Sequence, residues 1–257
     1  MSQSEQTSNH LWRLIVDKNL LQDDLVVLND EEHHYVFHVL RLAEGNKVEL
    51  CDGKGTLALA EIVTSNKKKI ELNILSSKKA EDQKNKLTLF IGQPRPPALE
   101  ESVHAAAELG ATRFVICRTE KSAIKYEPKL DKLRRIAQES MRISKSVWAM
   151  EIVCYSKIAE LIQHENLTNS LFLCDESPVH NADSPSHPCL LNACLGLKSN
   201  VNDVGVFVGP ESSFSENEKD LLVQKNYKLV GLGSQILRVP AAVSNAISVI
   251  RAVQEST

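Results

Sequence analysis

The sequence predicts an α/β protein in which a small β-barrel precedes a parallel sheet covered by helices. Three observations carry that expectation. Residues 12–75 hold short apolar runs separated by turn material, the pattern of a small all-β module. After residue 86, strand and helix patterns alternate about six times, as in a parallel sheet with helices on both faces. Between them SSKKAEDQKNK is polar, charged and without periodicity, and reads as a linker. The expected domains are therefore 1–80 and 87–257.

The β runs of the first part are WRLIV, LVVL, KVELC, TLALAEIV and KKIELNIL, with AEGN and CDGKG as turns. One helix is expected over DEEHHYVFHVLRL, capped by Asp30, with Val36, Val39 and Leu40 on one face. In the second part KLTLFIG is a strand, and PALEESVHAAAELG a helix closed by Gly110. TRFVICR, MEIVCY, SLFLC, VGVFVG and KLVGLG are further strands. Helices are expected at PKLDKLRRIAQESMRI, IAELIQ, SFSENEKDLLVQKN and PAAVSNAISVIRAV. The third of these carries a capping box at Ser215 and Glu218, and the fourth has Pro240 in its first turn.

Of the 257 residues 42% are hydrophobic and 25% charged, which excludes a disordered, collagenous or coiled-coil chain. No apolar run approaches the roughly 18–20 residues of a membrane span, and MSQSEQTSNH leads into no apolar signal region. A soluble, cytoplasmic protein is expected. The six cysteines form no CxxC pair and are expected as buried, reduced thiols.

The net charge is −3, but its distribution is uneven. Residues 67–86 carry 7 basic against 3 acidic side chains and residues 113–145 carry 10 against 4, whereas both flanking regions are acidic. A basic patch on an acidic body suits a phosphate-backbone ligand; a solvated helix face fits the same count.

Two strand exits concentrate glycine and polar groups. One reads Gly209-Pro210-Glu211-Ser212-Ser213-Phe214, the other Gly233-Ser234-Gln235-Ile236-Leu237-Arg238. Ligands of parallel sheets sit beyond the carboxyl ends of the strands, and glycine there admits close approach to the backbone. Gly231-Leu232-Gly233 gives half a dinucleotide fingerprint but lacks its third glycine and its later acidic residue. His33, His34 and His38 have metal-compatible spacing without a third ligand and read as a surface cluster, so no metal is expected. No G-x-S-x-G elbow or P-loop is present.

Taken in order, HHYVFHVLRLAEGNKVELCDGKG, AAAELGA, FVGPESSFSENE and LGSQILR resemble the RsmE-type enzymes of the SPOUT superfamily, from about Trp12 to the C-terminus. Those enzymes methylate ring nitrogen three of a uridine in small-subunit (16S) ribosomal RNA. The resemblance implies a PUA-like barrel, a methyltransferase domain with a trefoil knot, a homodimer, and S-adenosyl-L-methionine as cofactor, without metal or membrane. It implies ribosomal RNA or the assembled small ribosomal subunit as partner.

By the same resemblance the cofactor would be held at Leu173 and Cys174, at Gly209, Pro210 and Glu211, and at Leu232, Gly233, Ile236 and Leu237. Arg238 matches the active-site arginine. His34, Arg41 and Lys47 match the RNA-facing barrel, Arg95 stands where the family has a lysine and would contact RNA, and Arg134 and Arg135 would extend the RNA surface. The chain departs from the family at Ser212 and Ser213, where glycines are usual. It departs again at Val239-Pro240-Ala241-Ala242, where Thr-Glu-Thr-Ala is usual, and around Met141-Arg142-Ile143-Ser144, where a glutamine motif is usual. These departures favour an alternative reading, a catalytically impaired RNA- or ribosome-binding relative.

Overall fold

The computed structural model describes residues 11–122, 126–165, 170–176, 187–197 and 201–256. The chain divides into two units, Met1–Asp82 with Met141–Trp148, and Gln83–Ser140 with Ala149–Thr257.

The first unit is a five-stranded sheet of β1 (Trp12–Ile15), β2 (Leu25–Val27), β3 (Lys47–Cys51), β4 (Thr56–Ser65) and β5 (Ile70–Lys79) in the order β1-β3-β4-β5-β2. β1 and β3 are parallel and the other pairs antiparallel. Alternate residues, among them Leu14, Val26, Val48, Leu50, Ile62, Ile70 and Leu72, face one apolar core. β5 runs further than expected. Ser76–Lys79, read from sequence as linker, stays paired with β4 to the register Thr56↔Lys79. Its side chains are exposed, so no hydrophobic alternation marks it.

The helix after β2 also differs from expectation. α1 (Asp30–His34) is capped by Asn29, whose Oδ1 accepts the Glu32 N–H at 2.9 Å, one residue before the expected Asp30. The chain then widens into a π turn over Tyr35–Leu40 and ends at Arg41 in the left-handed region, φ 54°. The wider turn buries Val36, leaves Leu40 half-buried and turns Val39 out to 58% exposure, so the three do not share a buried face.

Residues 141–148 cluster with this unit, although a continuous reading places them after the linker. The Arg142 guanidinium pairs with the buried Glu32 and lies 4.7 Å from the Tyr35 ring centroid. Lys145 Nζ is 3.4 Å from Glu49, and the Ser146 carbonyl accepts from Arg13 at 2.8 Å. Trp148 covers Gly55, which sits at φ +93°. The divergent Met141–Ser144 segment therefore contributes to this unit's packing.

The second unit holds a six-stranded sheet, β11-β9-β10-β6-β7-β8, with every pair parallel. Its strands are β6 (Lys86–Gly92), β7 (Arg113–Cys117), β8 (Glu151–Tyr155), β9 (Ser170–Cys174), β10 (Asp203–Val208) and β11 (Tyr227–Val230). Alternate residues of each strand enter opposite cores. Leu87, Leu89, Ile91, Phe114 and Ile116 pack with α2 (Pro96–Glu108), α3 (Leu130–Ser144), α5 (Leu190–Leu195) and α7 (Val239–Glu255). Phe90, Val115, Cys117 and Phe207 pack with α4 (Ile158–His164) and α6 (Glu216–Gln224). Both faces are thus covered.

Several local expectations hold. Gly110, φ +83°, follows α2 in a Schellman arrangement, with Ala111 N–H donating to the Ala106 carbonyl and Gly110 N–H to Ala107. Ser215 and Glu218 form the capping box of α6, and Pro240 lies in the first turn of α7. All six cysteines are free, but only Cys51, Cys117 and Cys194 are buried; Cys154 and Cys174 are half-buried and Cys189 is exposed. The six-residue α5 has no counterpart among the expected helices, being too short to show a helical period.

The strand order creates a switch point. From β6 the chain builds outward through β7 and β8, then crosses to the other side of β6, lays down β9, inserts β10 between β9 and β6, and adds β11 beyond β9. The carboxyl ends of β6 and β10 therefore open side by side, where parallel sheets place their ligands.

Candidate active site

A cavity of about 780 Å³ lies at that switch point, a size suited to a cofactor. It is lined from four places: Arg95 to Glu101 after β6, Cys174 to Glu176 after β9, Val208 to Ser213 at β10, and Leu232 to Ala242 after β11. No single stretch of sequence contains it.

The β6 exit is rigid. Gln93 Nε2 donates to the Tyr126 carbonyl at 2.8 Å, and the Tyr126 hydroxyl donates to the Pro94 carbonyl at 2.8 Å. Burial pushes the Tyr126 phenol up to about 12, so it remains a donor throughout the physiological range. Arg95 follows as the residue before α2, and its N–H donates to Glu211 Oε1 at 3.0 Å. Glu211 thereby ties the β6 exit to the β10 loop.

That loop folds back on its strand. Buried Phe214 meets Phe207 edge-on at 5.0 Å and packs against Gly209, where a Cβ would come within 3.1 Å of its ring. The Ser213 N–H donates to the Pro210 carbonyl at 2.9 Å, closing a turn with Ser213 at φ 60°. Ser212 Oγ donates to the Lys121 carbonyl. The first serine departure therefore supplies a bond, and the second occupies a conformation that favours glycine. Ser213→Gly is expected to leave stability unchanged or raise it by up to about 1 kcal/mol, measured by thermal unfolding. A clear loss would assign the Ser213 side chain a supporting contact.

The third loop offers backbone. Among the described residues the N–H groups of Leu232, Gly233, Gln235, Ile236 and Leu237 donate no hydrogen bond to another backbone group. Gly233 has φ +140°, a conformation that L side chains rarely adopt. Unpaired amides beside the apolar Val208, Leu232 and Leu237 give the mixed lining that a purine nucleoside requires. The residues present therefore fit S-adenosylmethionine.

At the end of this loop Arg238 is the N-cap of α7, exposed, with no capping hydrogen bond from its side chain. The next helical residue but one, Pro240, lines the cavity and has no N–H to offer.

Of the two β9 residues expected at the site, Cys174 lines the cavity and Leu173 does not. The Leu173 side chain is fully buried in the core under α4 and α6, and the strand reaches the cavity through Cys174, Asp175 and Glu176. The parallel pleat sends Leu173 inward, which the run SLFLC does not reveal. Asp175 has a nearly buried carboxylate, with Lys219 Nζ 3.1 Å from one oxygen and His187 Nε2 3.1 Å from the other. Burial pulls the Lys219 ammonium down, but hydrogen bonding and charge from Asp175, with Glu216, more than offset it and hold its pKa above the ordinary lysine value.

The other expected cofactor residues, Gly209, Pro210, Glu211, Leu232, Gly233, Ile236 and Leu237, line the same cavity, together with Arg238, expected as catalytic, and Arg95, expected as an RNA contact. Glu101, Asp175, Glu176 and Gln235 join them and were missed. Asp175 directly follows a buried strand and was findable on that ground. Glu101 carries no such signal in an acidic stretch of helix. His34, Arg41 and Lys47 are exposed in the first unit, and Arg134 and Arg135 are exposed on α3 in the second. Arg134 also pairs with the exposed Asp131, a contact worth little. Among the described residues no group of three or more His, Cys, Asp or Glu side chains is placed to hold a metal. No helix there is long and apolar enough to cross a membrane.

A family model described as RNA methyltransferase domain matches residues 81–251, about two thirds of the chain. The chain belongs to the RNA methyltransferase family. Residues 28–75 match an RNA methyltransferase PUA domain, so the first unit carries a PUA-like module of the same family. Curated relatives of this RNA methyltransferase include ribosomal RNA small subunit methyltransferase E of Synechocystis sp., 28% identical over 95% of this chain and 78% of that protein. The enzyme of the same name from Rickettsia conorii is 26% identical over 93% of this chain and 94% of its own length. Among solved structures, the ribosomal RNA small subunit methyltransferase E of Neisseria gonorrhoeae bound to S-adenosyl methionine has the same fold. Its TM-score is 0.77, at 21% identity over 95% of this chain and 98% of that one.

Proposed function

We propose that this RNA methyltransferase transfers a methyl group from S-adenosylmethionine to ring nitrogen three of a uridine in small-subunit ribosomal RNA. The observation that carries the reading is the cavity at the switch point, where unpaired backbone amides and the exposed Arg238 line one space. The names of its relatives support the RNA class. The bound donor supplies a methyl group on a sulfonium, already a good leaving group.

The protein's own tasks are positioning and electrostatics. The β10 and β11 loops orient the donor, and Arg238 stabilises negative charge as it develops on the uracil oxygens. Because the target nitrogen must be presented to a concave site, the base is taken unpaired or flipped out. His34, Arg41 and Lys47 on the barrel, and Arg134 and Arg135 on α3, are the phosphate contacts. The reading includes a homodimer acting in the cytoplasm, supported by the family resemblance.

Methyl transfer to small ribosomal subunits lacking the modification tests this reading, with the product mapped to the uridine ring nitrogen. A second reading, a binding relative without catalysis, is favoured by Pro240 at the first turn of α7 and by Ser213 at its positive φ. Cofactor and RNA binding without methyl transfer would decide for it. For the RNA surface, Arg134→Glu with Arg135→Glu is expected to weaken RNA binding about tenfold or more at low salt and to flatten its salt dependence. Unchanged affinity across a salt series would remove both residues from the interface.

A further inference from the structure

We infer that Glu101 accepts the proton which the uridine ring nitrogen must lose. The inference rests on the function proposed above and identifies a residue that the resemblance does not assign. An imide nitrogen is a poor nucleophile while it carries its proton, so the reaction requires an acceptor near the methyl donor. Four carboxylates line the cavity, those of Glu101, Asp175, Glu176 and Glu211.

Two of the four are engaged. Glu211 accepts the Arg95 N–H, and Asp175 is held between Lys219 and His187. Glu176 stands half-buried at the β9 exit, on the strand-end side where the amide-bearing loops take the donor. Glu101 differs in each respect. It is exposed, and it has no hydrogen bond or ion pair among the described residues. It also stands on the helical wall of the cavity, formed by α2 and α7, which pack against each other.

That wall carries the cations of the site. Arg95 precedes α2 and Arg238 precedes α7, while Pro240 and Ala242 offer nothing ionisable. Glu101 is thus the carboxylate of this wall that no other described group claims, in the same cavity as guanidinium groups able to meet the charge the base develops. α2 fixes it firmly, since Leu99, Ser102, Val103 and Ala106 are buried on the opposite side of the helix.

In the step so defined, the proton on ring nitrogen three passes to a Glu101 carboxylate oxygen. The nitrogen lone pair forms the new bond to the methyl carbon, and the carbon–sulfur bond breaks with its electron pair left on sulfur as a neutral thioether. Arg238 meets the charge on the uracil oxygens, and Glu101 returns its proton to water once product leaves.

The test uses the full chain with Glu101→Gln and Glu101→Asp, in single-turnover methyl transfer to unmodified small subunits across a pH series. Glu101→Gln is expected to lower the rate about 10²-fold near neutral pH, with donor and RNA affinities essentially unchanged. Its remaining rate should climb about tenfold per pH unit as the uracil ionises unaided, a slope the parent lacks. Subunits containing 5-fluorouridine, whose ring nitrogen is more acidic, should restore much of the loss, and Glu101→Asp should retain part of the rate. A Glu101→Gln rate close to the parent's overturns the inference. So does a loss that neither higher pH nor 5-fluorouridine recovers, or one explained by weaker donor binding. Absence of transfer by the parent chain itself removes the proposed function, and this inference falls with it.

Discussion

Arg238→Ala is expected to lower methyl transfer by about 10²–10³-fold, the cost of removing a donor aimed at charge that develops in the transition state. The effect should fall on the chemical step. Arg238 is exposed, its side chain caps no helix, and its carbonyl still accepts the Ala242 N–H at 2.9 Å after truncation. Thermal stability should therefore be unchanged, and donor affinity should change little because the loop offers backbone groups to the donor. Arg238→Lys is expected to recover only part of the rate, since a point charge does not reproduce the planar fork that spans two acceptors. Single-turnover transfer with parallel donor titration measures both quantities. A rate unaffected by Arg238→Ala would shift charge stabilisation to Arg95, the other arginine among the described cavity residues.

Gly92→Ala is expected to damage fold and site together. A Cβ at Gly92 would lie 2.5 Å from Pro210 Cδ, 2.9 Å from the Pro210 nitrogen and 3.1 Å from Thr119 Cγ2. The nearest obstacles are a proline ring and its backbone, neither of which can swing aside. Thr119 is itself held by Ser122, which accepts the Thr119 N–H at 3.1 Å. The β10 loop must therefore move away from the β6 exit. Overpacking of this kind costs about 1–3 kcal/mol, and displacing a loop proposed to hold the donor by a fraction of an ångström should weaken donor affinity about tenfold or more. Chemical denaturation and calorimetric titration measure the two effects. Gly231→Ala is the control, because nothing lies within 4 Å of its Cβ position. Parent-like stability and affinity in Gly92→Ala would mean that the Pro210 loop yields freely.

Local chemistry made much of this protein readable before its fold was known. Most strand and helix positions follow from apolar periodicity, and the ends of α2 and α6 follow from Gly110 and from the Ser215–Glu218 pair, whose bonding partners lie within a few residues. The glycine-bearing strand exits at Gly209 and Gly233, singled out for the same reason, both line the cavity. Short or non-amphipathic elements escaped: the π turn at Tyr35–Leu40, the exposed end of β5, and α5. In each, hydrogen bonding across strands or turns, rather than side-chain pattern, sets the conformation.

What only the folded chain decides is juxtaposition. The order β11-β9-β10-β6-β7-β8 brings Arg95, Asp175, Glu211 and Arg238 to one cavity across more than 140 residues of sequence. Pleat direction turns Leu173 into the core and leaves the cavity to Cys174, Asp175 and Glu176. Packing joins residues 141–148 to the first unit through Arg142, Lys145 and Trp148. Glu101 acquires meaning only in a cavity it shares with Arg95, Arg238 and Pro240. Periodicity and capping are encoded within a few residues, whereas strand order and side-chain neighbourhood arise from burying apolar surface over the whole chain.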